Sequence, residues 1–184
     1  GEETVDIRRV DVVGAAVSRD LKQKGFLSLF YAGIGLLIYI SWRFKISYSV
    51  AAILALAHDV IITVGVFSIT GREISLPVIA ALLTVVGYSL NDTIIVFDRI
   101  RENIKKAAGS FDFPSLLDSS ISQTLSRTLI TSSTTLFVVL ALFLFGGSVI
   151  NNFAFAIMVG LIVGTYSSIF VASPILMLFS RTKK

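Results

Sequence analysis

Four ionisable groups sit inside otherwise apolar stretches: His58 and Asp59 in LALAHDVIITVG (54–65), Asp92 in VVGYSLNDTIIVFDRIREN (85–103), and Arg127 in SISQTLSRTLITSSTTL (120–136). A charge at mid-bilayer costs at least ~2.5–3.5 kcal/mol on insertion scales, so such groups face a bundle interior or a polar cavity and find partners there. A carboxyl group that can meet or leave a guanidinium is suited to bind and release a proton. With Asn, Ser and Thr oxygens around it, the same carboxylate could hold sodium instead.

Helical spacing gathers more polar groups around these four. At 100° per residue, Ser120, Gln123, Arg127, Thr131 and Thr134 share one face. Ala52, Ala55, Asp59 and Thr63 form a small-and-polar face. Tyr88, Ser89 and Asp92 cluster, while Thr84, Gly87, Asn91 and Asp98 form the adjoining face. Asp92 lies about 22 Å along a helix from Pro77 and about 9 Å from Asp98, so it belongs to the half nearer the charged end. Arg127 starts its own apolar run at a comparable depth, and Asp59 lies nearer the middle.

The segments that must position these groups read as membrane spans. The 184 residues are 54% hydrophobic and 15% charged, with a mean hydropathy of +0.85. The apolar residues come in blocks, roughly 25–42, 48–70, 77–98, 124–145 and 152–179. Each block has about the 17–25 residues needed to cross ~30 Å of hydrocarbon, the last with room for tilt or a kink at Pro174. Backbone in lipid must satisfy its own hydrogen bonds, so the expected fold is an all-α membrane protein, a polytopic bundle of five transmembrane helices.

Residues 1–24 are polar. TVDIRRVDVV alternates like a strand and GAAVSRDLKQK reads as a short helix, together the expected end of an extracytoplasmic domain. SLLDSSISQTL after Pro114 reads as an interfacial helix running into the fourth span, with Ser115 and Asp118 at capping-box spacing. Ala156, Gly160, Gly164 and Ser168 repeat every four residues, a ridge of small side chains for close helix packing.

The charges of the connections set the orientation. Arg43 and Lys45 follow the first span, Arg99, Arg101, Lys105 and Lys106 the third, and Arg181, Lys183 and Lys184 the fifth. The alternate loops hold only Arg72 with Glu73, so the positive-inside rule puts residues 1–24 outside and the 181–184 tail in the cytoplasm.

Several chemistries find no footing. No phosphate-binding Gly-rich loop, catalytic triad or metal-ligand cluster is present, which argues against an enzyme and against a metal cofactor. With no cysteine and one histidine, zinc has no ligand set. The net charge of +4 sits mostly in short loops, a pattern of topology and not of nucleic-acid binding. Structural readings stand beside the functional ones. Arg127 could serve as a snorkelling anchor, Asp92 as a permanently ionised partner, His58 as a hydrogen-bonded packing residue, and Asp98 with Arg99 as a local ion pair.

LALAHDVIITVG, VVGYSLNDTIIVFDRIREN, SISQTLSRTLITSSTTL, FLFGG (143–147) and VGTYSSIFVASP (163–174) occur in order along the chain. Together, over about residues 25–180, they resemble the SecF branch of the SecD/SecF family of bacterial protein-export subunits, relatives of resistance-nodulation-division transporters. The resemblance implies one half of a pseudo-symmetric transporter-like fold, here the last five of six helices, with the first helix and most of the external domain missing. It implies an inner-membrane subunit that works with a SecD-type subunit and the Sec translocon channel and is driven by the proton-motive force. The missing external domain would pull on the translocating polypeptide. By the same resemblance Asp92 and Arg127 belong to a proton relay, and Asp59 follows with a less defined role. The competing reading is a structural scaffold for the partner or the channel. An ion channel or small-solute carrier is less favoured, because charged rings and broken helices are lacking across the third and fourth spans.

Overall fold

The structure, a computed structural model, describes residues 15–107 and 111–181. The helices are α1 (Ala15–Arg43), α2 (Ile46–Ile69), α3 (Leu76–Lys106), α4 (Phe113–Phe145) and α5 (Gly147–Ser167). A π-turn at Ser168–Ala172 carries α5 into α6 (Ser173–Arg181). Among the described residues there is no strand, and five helical columns are long and apolar enough to cross a membrane. The all-α bundle expected from the apolar blocks is the fold observed.

The helix α5 occupies the centre of the bundle, packed against α3, α4 and α2, while α1 lies at the edge against α2 and α3. Small residues make the centre possible. Ala156, Gly160, Gly164 and Ser168 are all buried. A Cβ added to Gly160 would collide with the Val85 side chain, and one on Gly164 would come within 2.9 Å of the Ser89 Cβ. The α5 backbone therefore runs directly over α3, a separation only glycine permits at these two positions.

Aromatic side chains close both ends. At the Arg43 end, Phe44 stacks on Tyr48 at 5.7 Å between centroids, and Tyr48 meets Phe97 edge-on at 5.2 Å. At the opposite end the left-handed backbone of Gly71 (φ 63°) turns the chain out of α2. The next residue, Arg72, donates to Asn151 Oδ1 at 2.8 Å and Asn152 Oδ1 at 2.6 Å, with its guanidinium 4.2 Å from the Phe155 centroid. One arginine thus ties the α2–α3 turn to the start of α5.

Three local expectations are corrected, and a fourth falls outside the described residues. The helix read in GAAVSRDLKQK is not separate: α1 runs unbroken from Ala15 into the first span, and Gly25 is held inside it against Ile79. The strand read in TVDIRRVDVV lies outside the described residues. The cap of α4 is Asp112, whose Oδ2 accepts from the Ser115 backbone N–H at 3.2 Å and from its hydroxyl at 2.6 Å. Pro114 sits in the first turn, where its missing N–H costs nothing, so the cap falls before it and not at Ser115. Asp98 pairs across to Arg43 at 3.3 Å, while Arg99 turns to Glu102 at 2.6 Å, so these neighbours do not pair locally. Adjacent residues on a helix point about 100° apart, which favours partners one turn or one helix away.

The irregularity expected at Pro174 takes the form of the π-turn just before it. Proline lacks the N–H that would bond Phe170, and widening the turn relieves the ring clash. Within this turn the Ser173 hydroxyl donates to the Ser168 carbonyl at 3.2 Å.

The close α3–α5 approach makes a contrast between two glycines. Gly160→Leu should destabilise the bundle by about 1–3 kcal/mol through overpacking against Val85. Gly65→Ala, where an added Cβ meets nothing within 4 Å, should be neutral or slightly stabilising. Thermal unfolding of the two variants in the same detergent checks this.

Candidate functional site

Asp59 and Asp92 are both fully buried, each at 0% exposure. They descend on different helices, α2 and α3, and α5 passes both. Asp59 Oδ2 accepts two hydroxyl bonds, from Ser89 of α3 at 2.5 Å and from Ser167 of α5 at 2.8 Å. Asp59 Oδ1 faces the Nδ1 of His58 at 3.0 Å. Three helices therefore converge on one carboxylate. Ala52, Ala55 and Thr63, the rest of its expected face, are also buried, and the Thr63 hydroxyl returns to the Asp59 carbonyl at 2.7 Å.

Asp92 is less well provided for. Its Oδ2 accepts from Ser132 of α4 at 3.3 Å, and its Oδ1 has no hydrogen-bond partner among the described residues. Ser132 is in turn 2.8 Å from the Thr165 hydroxyl of α5. Thr165 and Ser167 stand two residues apart, so α5 touches the surroundings of both carboxylates. Ser89 precedes Asp92 by three residues, which sets the two acidic levels about 4.5 Å apart along α3.

Arg127 does not join Asp92. No ion pair links them among the described residues, and Arg127 is exposed on the outside of this chain. Asp92 is level with Ser132, and five residues of α4 put the Arg127 Cα about 7.5 Å nearer the Arg43 end. The expected polar face splits at this point. Ser120 is buried and receives the Asn103 amide at 2.8 Å, whereas Gln123, Arg127, Thr131 and Thr134 are exposed. Gln123 accepts from the Arg99 Nε at 2.5 Å. Thr131 and Thr134 bond back to carbonyls of their own helix.

On α3 the adjoining residues Thr84, Gly87 and Asn91 are also exposed. Tyr88 is half-buried and lies 3.3 Å from the Thr135 hydroxyl across the α3–α4 contact. His58 stands one third exposed, at 33%. The arrangement is a buried pair of carboxylates with hydroxyl neighbours, lying inside a polar outer surface of α3 and α4.

Ser132, Thr165 and Ser167 escaped the reading of single faces. Serine and threonine are common in membrane helices as packing residues, so composition gives them no distinction. The one signal available was register: Ser167 stands three residues after Gly164, on the flank of the small-residue ridge.

The chain matches, over residues 1–182, the family described as protein export membrane protein SecD/SecF, C-terminal. It is 53% identical over 176 residues to the protein translocase subunit SecF of Desulfurispirillum indicum, covering 95% of this chain and 56% of the relative. To the SecF of Vibrio alginolyticus it is 55% identical over 171 residues, covering 93% and 54% respectively. The chain spans about half the length of these curated relatives. Among solved structures, the crystal structure of SecDF from Thermus thermophilus, described as a translocon-associated membrane protein, superposes with a TM-score of 0.85 at 49% identity. That match covers 92% of this chain and 23% of the SecDF chain.

The Asp59 junction yields a stability prediction. Ser167→Ala removes one of two hydroxyl donors from a buried oxygen and should cost about 1–3 kcal/mol. Ser133→Ala, an exposed hydroxyl on α4, should change stability little. Thermal midpoints of both variants decide it.

Proposed function

Because the chain belongs to the SecD/SecF family of protein-export membrane proteins, we propose that it is a transmembrane subunit of a proton-motive-force-driven complex assisting Sec-dependent protein translocation across the bacterial inner membrane. Its partners in this reading are a SecD-type subunit and the Sec channel. The SecDF relatives of Thermus thermophilus and Brucella abortus, which align with this chain over only 24% and 23% of their length, support a SecD-type partner. The polar outer surface of α3 and α4 supports it physically. Arg127, Gln123, Asn91 and Thr131 would be costly facing lipid and are well suited to face a second helical half.

The observation that carries the proton reading is the unpartnered Oδ1 of the fully buried Asp92. An ionised carboxylate in a low-dielectric interior needs a donor for each oxygen. A proton on Asp92 meets that need in one state, and a guanidinium or other donor brought by helix movement meets it in another. Exchange between the two states would couple proton uptake to repacking of α3, α4 and α5, and through them to an external domain. Arg127 would supply charge at the same surface, either to Asp92 or to a carboxylate of the partner. Asp59, already held by two serines and His58, would keep α2, α3 and α5 in register and act as a secondary proton site. Sodium could replace the proton at Asp92, since serine and threonine oxygens lie beside it.

The orientation follows from the basic residues. Arg43, Lys45 and the Arg99–Lys106 segment would face the cytoplasm, with residues 1–24 on the outer side and lipid around the remaining surface. The complete hydrogen bonding of Asp59 favours a scaffold reading for that residue alone, and the comparison of Asp59→Asn with Asp92→Asn separates the two.

Asp92→Asn preserves size and hydrogen bonding but cannot titrate. In vesicles carrying the full-length protein with its SecD-type partner, it should reduce gradient-stimulated export of a secretory protein to the level seen without a gradient. Export at the native rate, with the complex assembled at native levels, would demote Asp92 to a packing residue.

A further inference from the structure

At the turn between α1 and α2, two guanidinium groups converge on one ring. The Arg43 guanidinium lies 5.4 Å from the Phe44 centroid and that of Arg101, arriving from α3, lies 5.9 Å from it. Phe44 is itself buried against Tyr48 and Phe97, so the platform under both is fixed. Arg101 Nη1 also donates to the Arg43 carbonyl at 3.3 Å, which ties the two arginines to a common end of α1. Two like charges gathered on one ring favour an anion beside them.

The carboxylate supply is short. Asp98 meets Arg43 at 3.3 Å, a long pair, and is 41% exposed. Glu102, the next acidic group on α3, is taken up by Arg99 at 2.6 Å and Lys106 at 2.7 Å. Lys45 is exposed one residue beyond Phe44. Among the described residues Asp98 pairs with Arg43, and neither Arg101 nor Lys45 forms an ion pair at this corner. The depth is also defined, because Trp42, 88% exposed, stands next to Arg43. An exposed tryptophan at a span end belongs at the headgroup level of the bilayer.

We propose that Arg43 and Arg101, carried on the Phe44 ring, form a binding site for the phosphate of an anionic phospholipid headgroup. The planar forks of two arginines match phosphate oxygens bidentately, and the ring keeps them oriented; Arg43 Nη2 and Arg101 Nη1 are engaged at 3.3 Å, which leaves the other guanidinium nitrogens for phosphate. A cluster of basic residues at the basic end of membrane helices is where acidic headgroups are held. The site lies at the far side of α3 from Arg99 and Gln123 and is independent of Asp92, so it stands whether or not the proton reading does.

The test uses the full-length protein purified in detergent and exposed to equal amounts of phosphatidylglycerol and phosphatidylcholine, with bound lipid counted by native mass spectrometry. The native protein should retain phosphatidylglycerol preferentially. Arg43→Gln with Arg101→Gln should lower that preference, by about fivefold for each guanidinium removed. Arg99→Gln with Lys106→Gln, which removes the same charge from the other side of α3, should leave it intact. Equal loss in both double variants, or no preference in the native protein, overturns the site. Relief of the preference by millimolar inorganic phosphate would identify a soluble phosphate as the ligand and overturn the lipid assignment. If the glutamine pair fails to fold, Arg101→Lys carries the test: it keeps the charge and loses the fork, so a preference equal to native refutes the geometry.

Discussion

A carboxylate buried in a membrane bundle must be supplied with donors by its neighbours, and that requirement organises this molecule. Asp59 has no water-exposed surface, so the helices that cover it must bring hydroxyl groups to it. Ser89 comes from α3 and Ser167 from α5, at 2.5 and 2.8 Å. Glycine at 160 and 164 brings α5 onto α3 beside Ser89, the same serine that donates to Asp59, so the small-residue ridge and the buried acid meet at one residue.

The two acidic positions differ in how completely this is done. Asp59 is satisfied from three directions, whereas Asp92 has one long bond from Ser132 and an oxygen without a donor among the described residues. A fully bonded group fixes a packing, while an incompletely bonded one gives it a reason to change. The π-turn at Ser168–Ala172 lies in α5 immediately after Ser167 and Thr165, the residues through which α5 reaches both sites. A widened turn has a weaker backbone ladder than a regular helix, so movement of α5 would be absorbed there more easily than elsewhere.

Much of this was legible in the sequence, and the reasons for the remainder are physical. Long apolar blocks force helices in lipid whatever their neighbours do, so the five spans could be read from Gly25 to Phe179 with only their ends in doubt. The face around Asp59 could be read because alanine, aspartate and threonine at helical spacing mark a buried seam. The partner of Arg127 could not. Its face is helical and polar as expected, but it points out of this chain, and periodicity says that a stripe has a partner without saying on which molecule. Ser132, Thr165 and Ser167 were hidden for a related reason: a hydroxyl can bond its own helix, as Thr131 and Thr134 do, and only the approach of another helix decides otherwise. The Asp112 cap was missed because the proline in the first turn moved the boundary three residues ahead of the motif that caught the eye.

The claim on which the account turns is that Asp92 exchanges a proton while Asp59 chiefly holds helices together. Infrared difference spectroscopy across a pH step, on the full-length protein reconstituted with its SecD-type partner, reads this directly through the C=O stretch of a protonated carboxyl group. The account predicts a titrating band that is largely lost in Asp92→Asn and survives in Asp59→Asn. A band that persists unchanged in Asp92→Asn would contradict it and transfer the proton to another residue.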